Sequence, residues 1–266
     1  MNSLKKKKFF LLDMDGTIYL DDDLFDGTID FLNYVKSIGG RYMFLTNNSS
    51  KSVSAYVEKL ARIGIPATNE DFLTSTDATI LYIKEKMQGR KFYSFGTHSF
   101  TQQLSEAGID VVTDLSDDID AIVMGNDNEL SFKKLEDACI LLGRDVEYIA
   151  TNPDWVCPTS FGYVPDCGSV AEMLWRATGK RPHFIGKPRP EMILLAMNKF
   201  GYSPDETVMI GDRMYTDIAS GYNAGVDTIF VLSGEGTMAD VEASEFKPTH
   251  IHSGIRETLN TILKEA

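Results

Sequence analysis

Two aspartates separated by one residue, Asp13 and Asp15, follow a short apolar run at residues 9–12 and precede Gly16. Such a run is typical of a buried strand in a parallel sheet. Ligand sites in open α/β sheets lie beyond the carboxyl ends of the strands. Two carboxylates placed there could attack an electrophile and move a proton, with a hard cation between them and the substrate. The pair therefore predicts the mouth of a catalytic site.

Polar residues also follow three other apolar runs, at 41–45, 183–185 and 207–210, which are predicted to be strands. Because parallel strands present their carboxyl ends at one edge of a sheet, these residues are expected to lie near the two aspartates. In chain order they are Thr46, Asn47, Lys187, Asp212 and, one helical turn later, Asp217. A short helix is predicted to begin at Asp217 and to end at Gly225.

The elements that must position these residues alternate between strand and helix. In the first and last thirds of the chain this alternation predicts a parallel sheet with right-handed crossovers. Ser50 is predicted to cap the helix that follows the second strand. Residues 79–181 alternate in their own right, without a low-complexity linker. We therefore predict an α/β fold in which a Rossmann-like parallel-sheet core, 1–78 and 182–266, carries an inserted α/β cap domain, 79–181.

Composition excludes several classes of partner. The 266 residues carry a formal net charge of −13 and no basic stripe, so a nucleic-acid polymer is not expected to bind. No apolar stretch approaches the length of a membrane span, so no membrane partner is expected. The cysteines are odd in number and lack metal-ligand spacing, which favours a reducing compartment and predicts a cytoplasmic protein. They are Cys139, Cys157 and Cys167.

The motifs, taken together and in order, resemble the four-motif signature of the haloacid dehalogenase (HAD) superfamily. The long insert, with residues 150–154 and 186–190, resembles the NagD-like, 4-nitrophenylphosphatase subfamily, which carries a type C2 α/β cap. The residues that carry the superfamily resemblance are Asp13-Met14-Asp15-Gly16-Thr17, Thr46-Asn47, Lys187, and Gly211-Asp212 with Asp217.

The resemblance implies a role for each polar residue of the core. Asp13 would be the nucleophile that forms an aspartyl-phosphate, and Asp15 would protonate the leaving alcohol and later deprotonate the water. The Thr46 hydroxyl and the Asn47 amide would donate hydrogen bonds to phosphate oxygens. Lys187 would bring positive charge to both the phosphate and the nucleophile.

Mg²⁺ is the expected cofactor, because it prefers oxygen ligands from one or two carboxylates, a phosphate and water. Asp13, the backbone carbonyl of Asp15, and Asp212 are the expected ligands. Asp217 is expected to support the metal site from behind these ligands.

Contacts with the rest of the substrate are expected from a cap loop at residues 152–158 and from the segment after Asp212. Trp155 could stack on a flat substrate or pack within the protein, and the sequence leaves both readings open. The residues predicted to bind substrate, besides Asn47, are Asn152, Asp154, Trp155, Arg213 and Thr216.

The resemblance implies a phosphatase that hydrolyses small phosphorylated metabolites. Nucleoside monophosphates and sugar phosphates are the expected natural substrates, and 4-nitrophenyl phosphate is the expected surrogate. Asp15 favours hydrolysis, because dehalogenases lack this second aspartate and transport ATPases carry threonine there. Two alternatives stay open, a phosphotransferase or mutase of the same superfamily and a non-catalytic phosphometabolite-binding protein. A homodimer through the cap also stays open.

Overall fold

Apolar runs of the chain form two parallel sheets in the computed structural model, which describes residues 4–159 and 161–265. In chain order the strands are β1 Phe9–Leu12, β2 Tyr19–Leu20, β3 Asp23–Leu24, β4 Arg41–Thr46, β5 Phe72–Thr74, β6 Lys91–Phe95, β7 Asp110–Val112, β8 Ala121–Met124, β9 Glu147–Ala150, β10 Val156–Thr159, β11 Gly162–Pro165, β12 His183–Phe184, β13 Thr207–Gly211, β14 Asp227–Val231 and β15 His250–His252.

Helices connect most of these strands. They are α1 Thr28–Ser37, α2 Val53–Arg62, α3 Ser75–Lys86, α4 His98–Glu106, α5 Phe132–Gly143, α6 Cys167–Thr178, α7 Glu191–Phe200, α8 Ala219–Ala224, α9 Met238–Ala243 and α10 Ile255–Glu265. Short 3₁₀ segments lie at Leu4–Lys6, Asn69–Asp71 and Pro204–Glu206, and a π-helical segment lies at Met214–Ile218.

The first sheet, which we call the core sheet, has the order β15-β14-β13-β1-β4-β5 with parallel neighbours throughout. Its central strand β1 is buried on both faces, as expected where helices cover both sides of a parallel sheet. Phe10 and Leu12 pack with residues of α1, α2 and α10. Phe9 and Leu11 pack on the opposite face against residues of α7. The continuous apolar run therefore reflects burial on two sides.

The second sheet has the order β12-β9-β8-β6-β7 and is also parallel, and a hairpin of β10 and β11 lies beside it. We call this sheet, its helices and the hairpin the cap. The structure thus confirms the predicted α/β class with parallel sheets. The predicted limit at residue 182 would assign β12 to the core, but His183 and Phe184 pair with Ile149 and Ala150 of the second sheet.

Two local predictions differ from the structure. The α2 helix is capped by Ser52, whose hydroxyl accepts a hydrogen bond from the Ala55 N–H, and not by Ser50. Ser50 instead donates to the Asn48 side chain, which closes a turn before the helix. The helix predicted to begin at Asp217 is also longer, because the π-helical segment Met214–Ile218 precedes α8.

Within residues 4–159 and 161–265, no helix combines the length and the apolar character that crossing a bilayer requires.

Candidate active site

The strand order of the core sheet brings the predicted polar residues together. The central strand β1 lies between β4 and β13, so the residues at the carboxyl ends of these three strands are neighbours. Asp13 follows β1, Thr46 ends β4, and Asp212 follows β13. Three separate segments of sequence therefore meet at one edge of the sheet, as the sequence predicts.

Lys187 connects these segments by a buried ammonium group. Its Nζ donates to Asp13 Oδ1 at 2.6 Å and to Asp217 Oδ1 at 2.7 Å. A third hydrogen bond reaches the Leu45 carbonyl at 2.9 Å. Burial alone would lower the pKa of Lys187, but the adjacent carboxylates outweigh it and raise that pKa. The ammonium is therefore kept charged beside the predicted nucleophile.

Three carboxylates crowd this point. One oxygen each from Asp13, Asp212 and Asp217 lies within 4.8 Å of the others. Burial, partly offset by Lys187 and reinforced by the other two carboxylates, raises the pKa of Asp13 well above its usual range. Burial also raises the pKa of Asp212 to about 7. The single ammonium of Lys187 does not balance the charge of three carboxylates. A cluster of carboxylate oxygens of this kind fits a hard divalent cation.

Protein donors already occupy both oxygens of Asp217. Oδ1 accepts from Lys187, and Oδ2 accepts from the Arg213 N–H at 3.1 Å. The Asp217 carboxylate is thereby placed to hold its neighbours in position more than to ligate a cation itself.

A loop after β14, which the sequence analysis did not single out, fixes Asp212. The Glu235 N–H donates to Asp212 Oδ2 at 2.7 Å, and the Ser233 hydroxyl donates to the Gly16 carbonyl at 2.7 Å. Gly16 has φ +90°, and a Cβ there would lie 2.6 Å from Asp212 Oδ2. The Gly-Glu-Gly run at 234–236 was the signal in the sequence that could have indicated this loop.

Asp15 faces α2 on the other side of the site. Lys59 Nζ lies 3.7 Å from Asp15 Oδ1 and 3.8 Å from the centre of the Tyr19 ring. Burial raises the pKa of Asp15, and the charge of Lys59 opposes that shift. A raised pKa suits a carboxyl group that must hold a proton before it protonates a leaving group.

Asn47 joins the core to the cap. Its Nδ2 donates to Asp154 Oδ1 at 2.9 Å and to the Lys187 carbonyl at 3.0 Å, while its Oδ1 accepts from the Lys187 N–H. The Asn47 side-chain amide thus holds Lys187 and Asp154 in position. The Thr46 Oγ1 accepts a hydrogen bond from the Asn48 N–H at 3.1 Å.

Arg213 makes a second bridge between core and cap. Its guanidinium donates to Asp154 Oδ2 at 2.8 Å and to the Val156 carbonyl at 3.0 Å. Its Nε lies 2.8 Å from Glu235 Oε2. Both oxygens of Asp154 are therefore bound by core side chains, Oδ1 by Asn47 and Oδ2 by Arg213. We call the contacts among Asn47, Asp154 and Arg213 the latch.

A cavity of about 20 Å³ lies between the core and the cap. A space of this size holds about one water molecule, which is too little for a phosphate ester. Of the residues that the sequence analysis predicted for the site, the cavity brings together Asp13, Asp15, Thr46, Asn47, Asp154 and Arg213. Its remaining lining residues, which were not predicted individually, are Asn48, Cys157, Pro158 and Asp166.

The structure does not bring three of the predicted substrate-binding residues to this cavity. Asn152 is fully buried within the cap, where its side chain contacts Thr151 and Asp166. Thr216 is buried within the π-helical segment. The Trp155 side chain is half exposed on the cap surface.

Known proteins resemble this chain over nearly its whole length. Residues 10–110 match the family described as haloacid dehalogenase-like hydrolase, and residues 184–258 match a HAD-hydrolase-like family. An acid sugar phosphatase of Staphylococcus aureus is 34% identical over 261 residues, which cover 98% of this chain and 100% of the relative.

Two solved structures extend the comparison. The 4-nitrophenylphosphatase from Thermotoga maritima superposes with a TM-score of 0.90 at 37% identity, covering 97% of this chain and 98% of that one. A glycerol phosphate phosphatase from Mycobacterium tuberculosis, in complex with magnesium, superposes with a TM-score of 0.88 at 28% identity, covering 96% and 78%. The chain therefore belongs to the haloacid dehalogenase superfamily, in its NagD-like, 4-nitrophenylphosphatase subfamily of phosphoric monoester hydrolases.

Proposed function

We propose that this phosphatase hydrolyses small phosphomonoesters through an aspartyl-phosphate on Asp13, with Mg²⁺ as cofactor. The observation that carries the proposal is the hydrogen bond from Lys187 to Asp13, which lines the cavity and lies among the carboxylates of Asp212 and Asp217. Lys187 orients one carboxylate oxygen of Asp13 and lowers the electrostatic cost of bringing a phosphate dianion against it.

In the first step, Asp13 attacks phosphorus and the bond to the leaving oxygen breaks. Asp15 gives its proton to that oxygen, so the product leaves as a neutral alcohol. In the second step, Asp15 accepts a proton from a water molecule that attacks the phosphoenzyme, which frees Asp13 and inorganic phosphate. Lys187 keeps its charge through both steps and balances the phosphoryl oxygens.

Asp13, Asp212 and the backbone carbonyl of Asp15 would hold Mg²⁺, with Asp217 behind them. A bound cation would neutralise the phosphate charge that otherwise repels the nucleophile. The glycerol phosphate phosphatase structure, which contains magnesium, supports this choice of ion.

The proposed substrates are sugar phosphates, glycerol phosphate and nucleoside monophosphates, with 4-nitrophenyl phosphate as a surrogate. The names of the relatives support sugar phosphates, glycerol phosphate and 4-nitrophenyl phosphate as substrates. The relatives' names do not support the mutase and the non-catalytic alternatives. We also propose a cytoplasmic location, which the three free cysteines support. A homodimer through the cap stays a prediction.

The test is release of phosphate from this set of esters by the purified protein. We expect turnover with Mg²⁺, loss of turnover after chelation, and recovery when Mg²⁺ is restored. Ca²⁺ should support it poorly, because its longer and less regular ligand bonds misplace the nucleophile. Asp13→Asn, a nearly isosteric change, should abolish turnover and leave the fold intact. Full activity of the metal-free protein would refute the cofactor, and an active Asp13→Asn variant would refute the nucleophile.

A further inference from the structure

Asp166 is a cap carboxyl group in the active-site cavity to which neither the motifs nor the comparisons assign a role. It follows β11, caps the N-terminus of α6, and is 3% exposed. Oδ1 accepts from the Cys167 N–H and from Asn152 Nδ2. Among the residues that the structure describes, none donates a hydrogen bond to Oδ2. Because Asp166 lines the cavity, an Oδ2 that lacks a protein donor can accept a hydrogen bond from a ligand or water there.

The other polar groups on the cap wall are already engaged. Both oxygens of Asp154 accept hydrogen bonds from core side chains in the latch. The Cys157 thiol accepts a contact from Asn48 Nδ2 at 3.9 Å, and Pro158 has no N–H to offer. Of the described residues of the cap wall, Asp166 is thus the one with a side-chain acceptor left for a ligand.

The position of Asp166 separates it from the chemistry. The core wall of the cavity carries Asp13, Asp15 and Thr46, which would act on the phosphoryl group shared by all substrates. The cap wall therefore faces the leaving group. Burial raises the pKa of Asp166 to about 7, and the charge of Asp154 adds to that shift. A hydroxyl group of a substrate could donate to Oδ2, which accepts no hydrogen bond from the described residues.

We propose that Asp166 selects the leaving group by accepting a hydrogen bond from a substrate hydroxyl, which makes phosphorylated polyols and sugars the preferred class. A leaving group that carries a carboxylate would be disfavoured, because it would bring a second negative charge against Asp166. This inference rests on the proposed phosphatase function and narrows its substrate class.

The variant Asp166→Asn isolates the relevant atom. Asparagine retains an Oδ1 that can accept from Cys167 and Asn152, and it replaces the free Oδ2 acceptor by an amide donor. A matched control is Asp137→Asn, which changes another buried cap carboxyl outside the cavity, hydrogen-bonded to the Tyr93 hydroxyl. If asparagine at 166 prevents folding, Asp166→Ser takes its place, since serine is also a favoured N-cap residue.

The experiment compares kcat/KM at pH 8 for glycerol 3-phosphate, n-propyl phosphate and 3-phosphoglycerate, which share a three-carbon chain. The wild-type protein should prefer glycerol 3-phosphate over n-propyl phosphate by roughly tenfold, and 3-phosphoglycerate should be poorer still. In Asp166→Asn the preference for glycerol 3-phosphate over n-propyl phosphate should shrink severalfold. The kcat/KM for 3-phosphoglycerate should rise relative to those of the other two esters. Asp137→Asn should keep the wild-type ratios.

Two outcomes would overturn the proposal while the phosphatase function stands. The wild-type protein could hydrolyse 4-nitrophenyl phosphate yet show no preference for the hydroxyl-bearing ester, a result that needs no variant. Alternatively, Asp166→Asn could retain the wild-type ratios. Failure of the wild-type protein to hydrolyse any ester with Mg²⁺, including 4-nitrophenyl phosphate, would instead overturn the proposed function and this inference together.

Discussion

Lys187 shows how one side chain can serve both stability and chemistry. It is a buried cation among the carboxylates of Asp13, Asp212 and Asp217, and its hydrogen bonds end on two of them. Removal of one partner from a buried ionic cluster leaves uncompensated charge, which costs far more than the net worth of the interaction. The catalytic charge is therefore also part of what holds the centre of the core sheet together.

We expect Lys187→Met to lower the free energy of unfolding by roughly 3–5 kcal/mol in metal-free buffer, because the carboxylates of Asp13 and Asp217 lose their ammonium partner. Mg²⁺ should recover part of that loss by binding the same carboxylates. Turnover should disappear in both conditions. Urea denaturation with and without Mg²⁺, together with phosphate release, measures these effects.

The matched control is Lys7→Met. Lys7 is also a buried lysine, and its Nζ lies 2.6 Å from Asp227 Oδ2 at the other end of the core sheet. This variant should lose stability yet keep kcat/KM, and Mg²⁺ should not restore the lost stability. Equal rescue of both variants by Mg²⁺ would contradict the metal site.

At the residue scale, the polar residues that could be predicted for the site are those that directly follow an apolar strand. A cavity residue without such a strand before it was missed. Asp13 and Asp212 could be recognised because each follows a run of fully buried residues. Asp166 follows β11, a half-exposed hairpin strand without such a run. Its approach to Asp13 depends on how the cap lies on the core, and no local pattern encodes that placement.

At the scale of elements, the latch joins the cap loop to the core loops that end β4 and β13. Asp154 was predicted to touch substrate, but its two oxygens are occupied by Asn47 and Arg213. The charged pair of Asp154 and Arg213 should therefore affect how the cap closes on the core, a step that every substrate requires. It should therefore change rates without changing the order of preference.

We expect Asp154→Asn and Arg213→Gln each to lower kcat/KM roughly tenfold or more for every ester, 4-nitrophenyl phosphate included, because a buried charge loses its partner. The double variant should be much less than additive, since both changes remove one interaction. Trp155→Ala, which alters the same loop outside the cavity, is the control and should stay within about twofold of wild type. Additive losses, or a changed order of substrates, would count against the latch.

The elements that could be predicted were those with continuous burial or clear helical spacing. Strands β1, β4, β8 and β13, each flanked by breakers, are of this kind. The hairpins β2–β3 and β10–β11 were missed, because they consist of short, partly exposed strands whose alternation is too brief to read. Strand β12 was predicted as a strand, but its sheet could not be inferred from two residues.

At the scale of the whole molecule, the cavity between core and cap has no room for a phosphate ester. A space of about 20 Å³ admits roughly one water molecule, so substrate entry requires the cap to move away from the core. Asn48 on the core side and Cys157 on the cap side face each other across this boundary, with Asn48 Nδ2 3.9 Å from Cys157 Sγ.

We expect the variant Asn48→Cys to form a disulfide with the native Cys157 on oxidation, which would fix the cap against the core in the position described here. Turnover should stop in the oxidised protein and return with a reductant, as measured on one preparation before and after reduction. Asn48→Cys combined with Cys157→Ser cannot form this bond and should not respond to oxidant. A cross-linked protein, verified by thiol titration, that still turns over would show that entry needs no such movement.

The strand order has a consequence for how the chain is made. The central strand β1 pairs with β13, so Phe9 meets its partner Thr207 only after nearly the whole chain has left the ribosome. The cap sheet draws all its strands from residues 91–184, and its pairings are complete before β13 exists. Long-range pairings form late because loop closure opposes them. During synthesis, the cap can thus be folded while the first strand of the core, fully apolar and already able to pair with β4, still lacks β13 on its other side. This open edge exposes the nascent chain to aggregation.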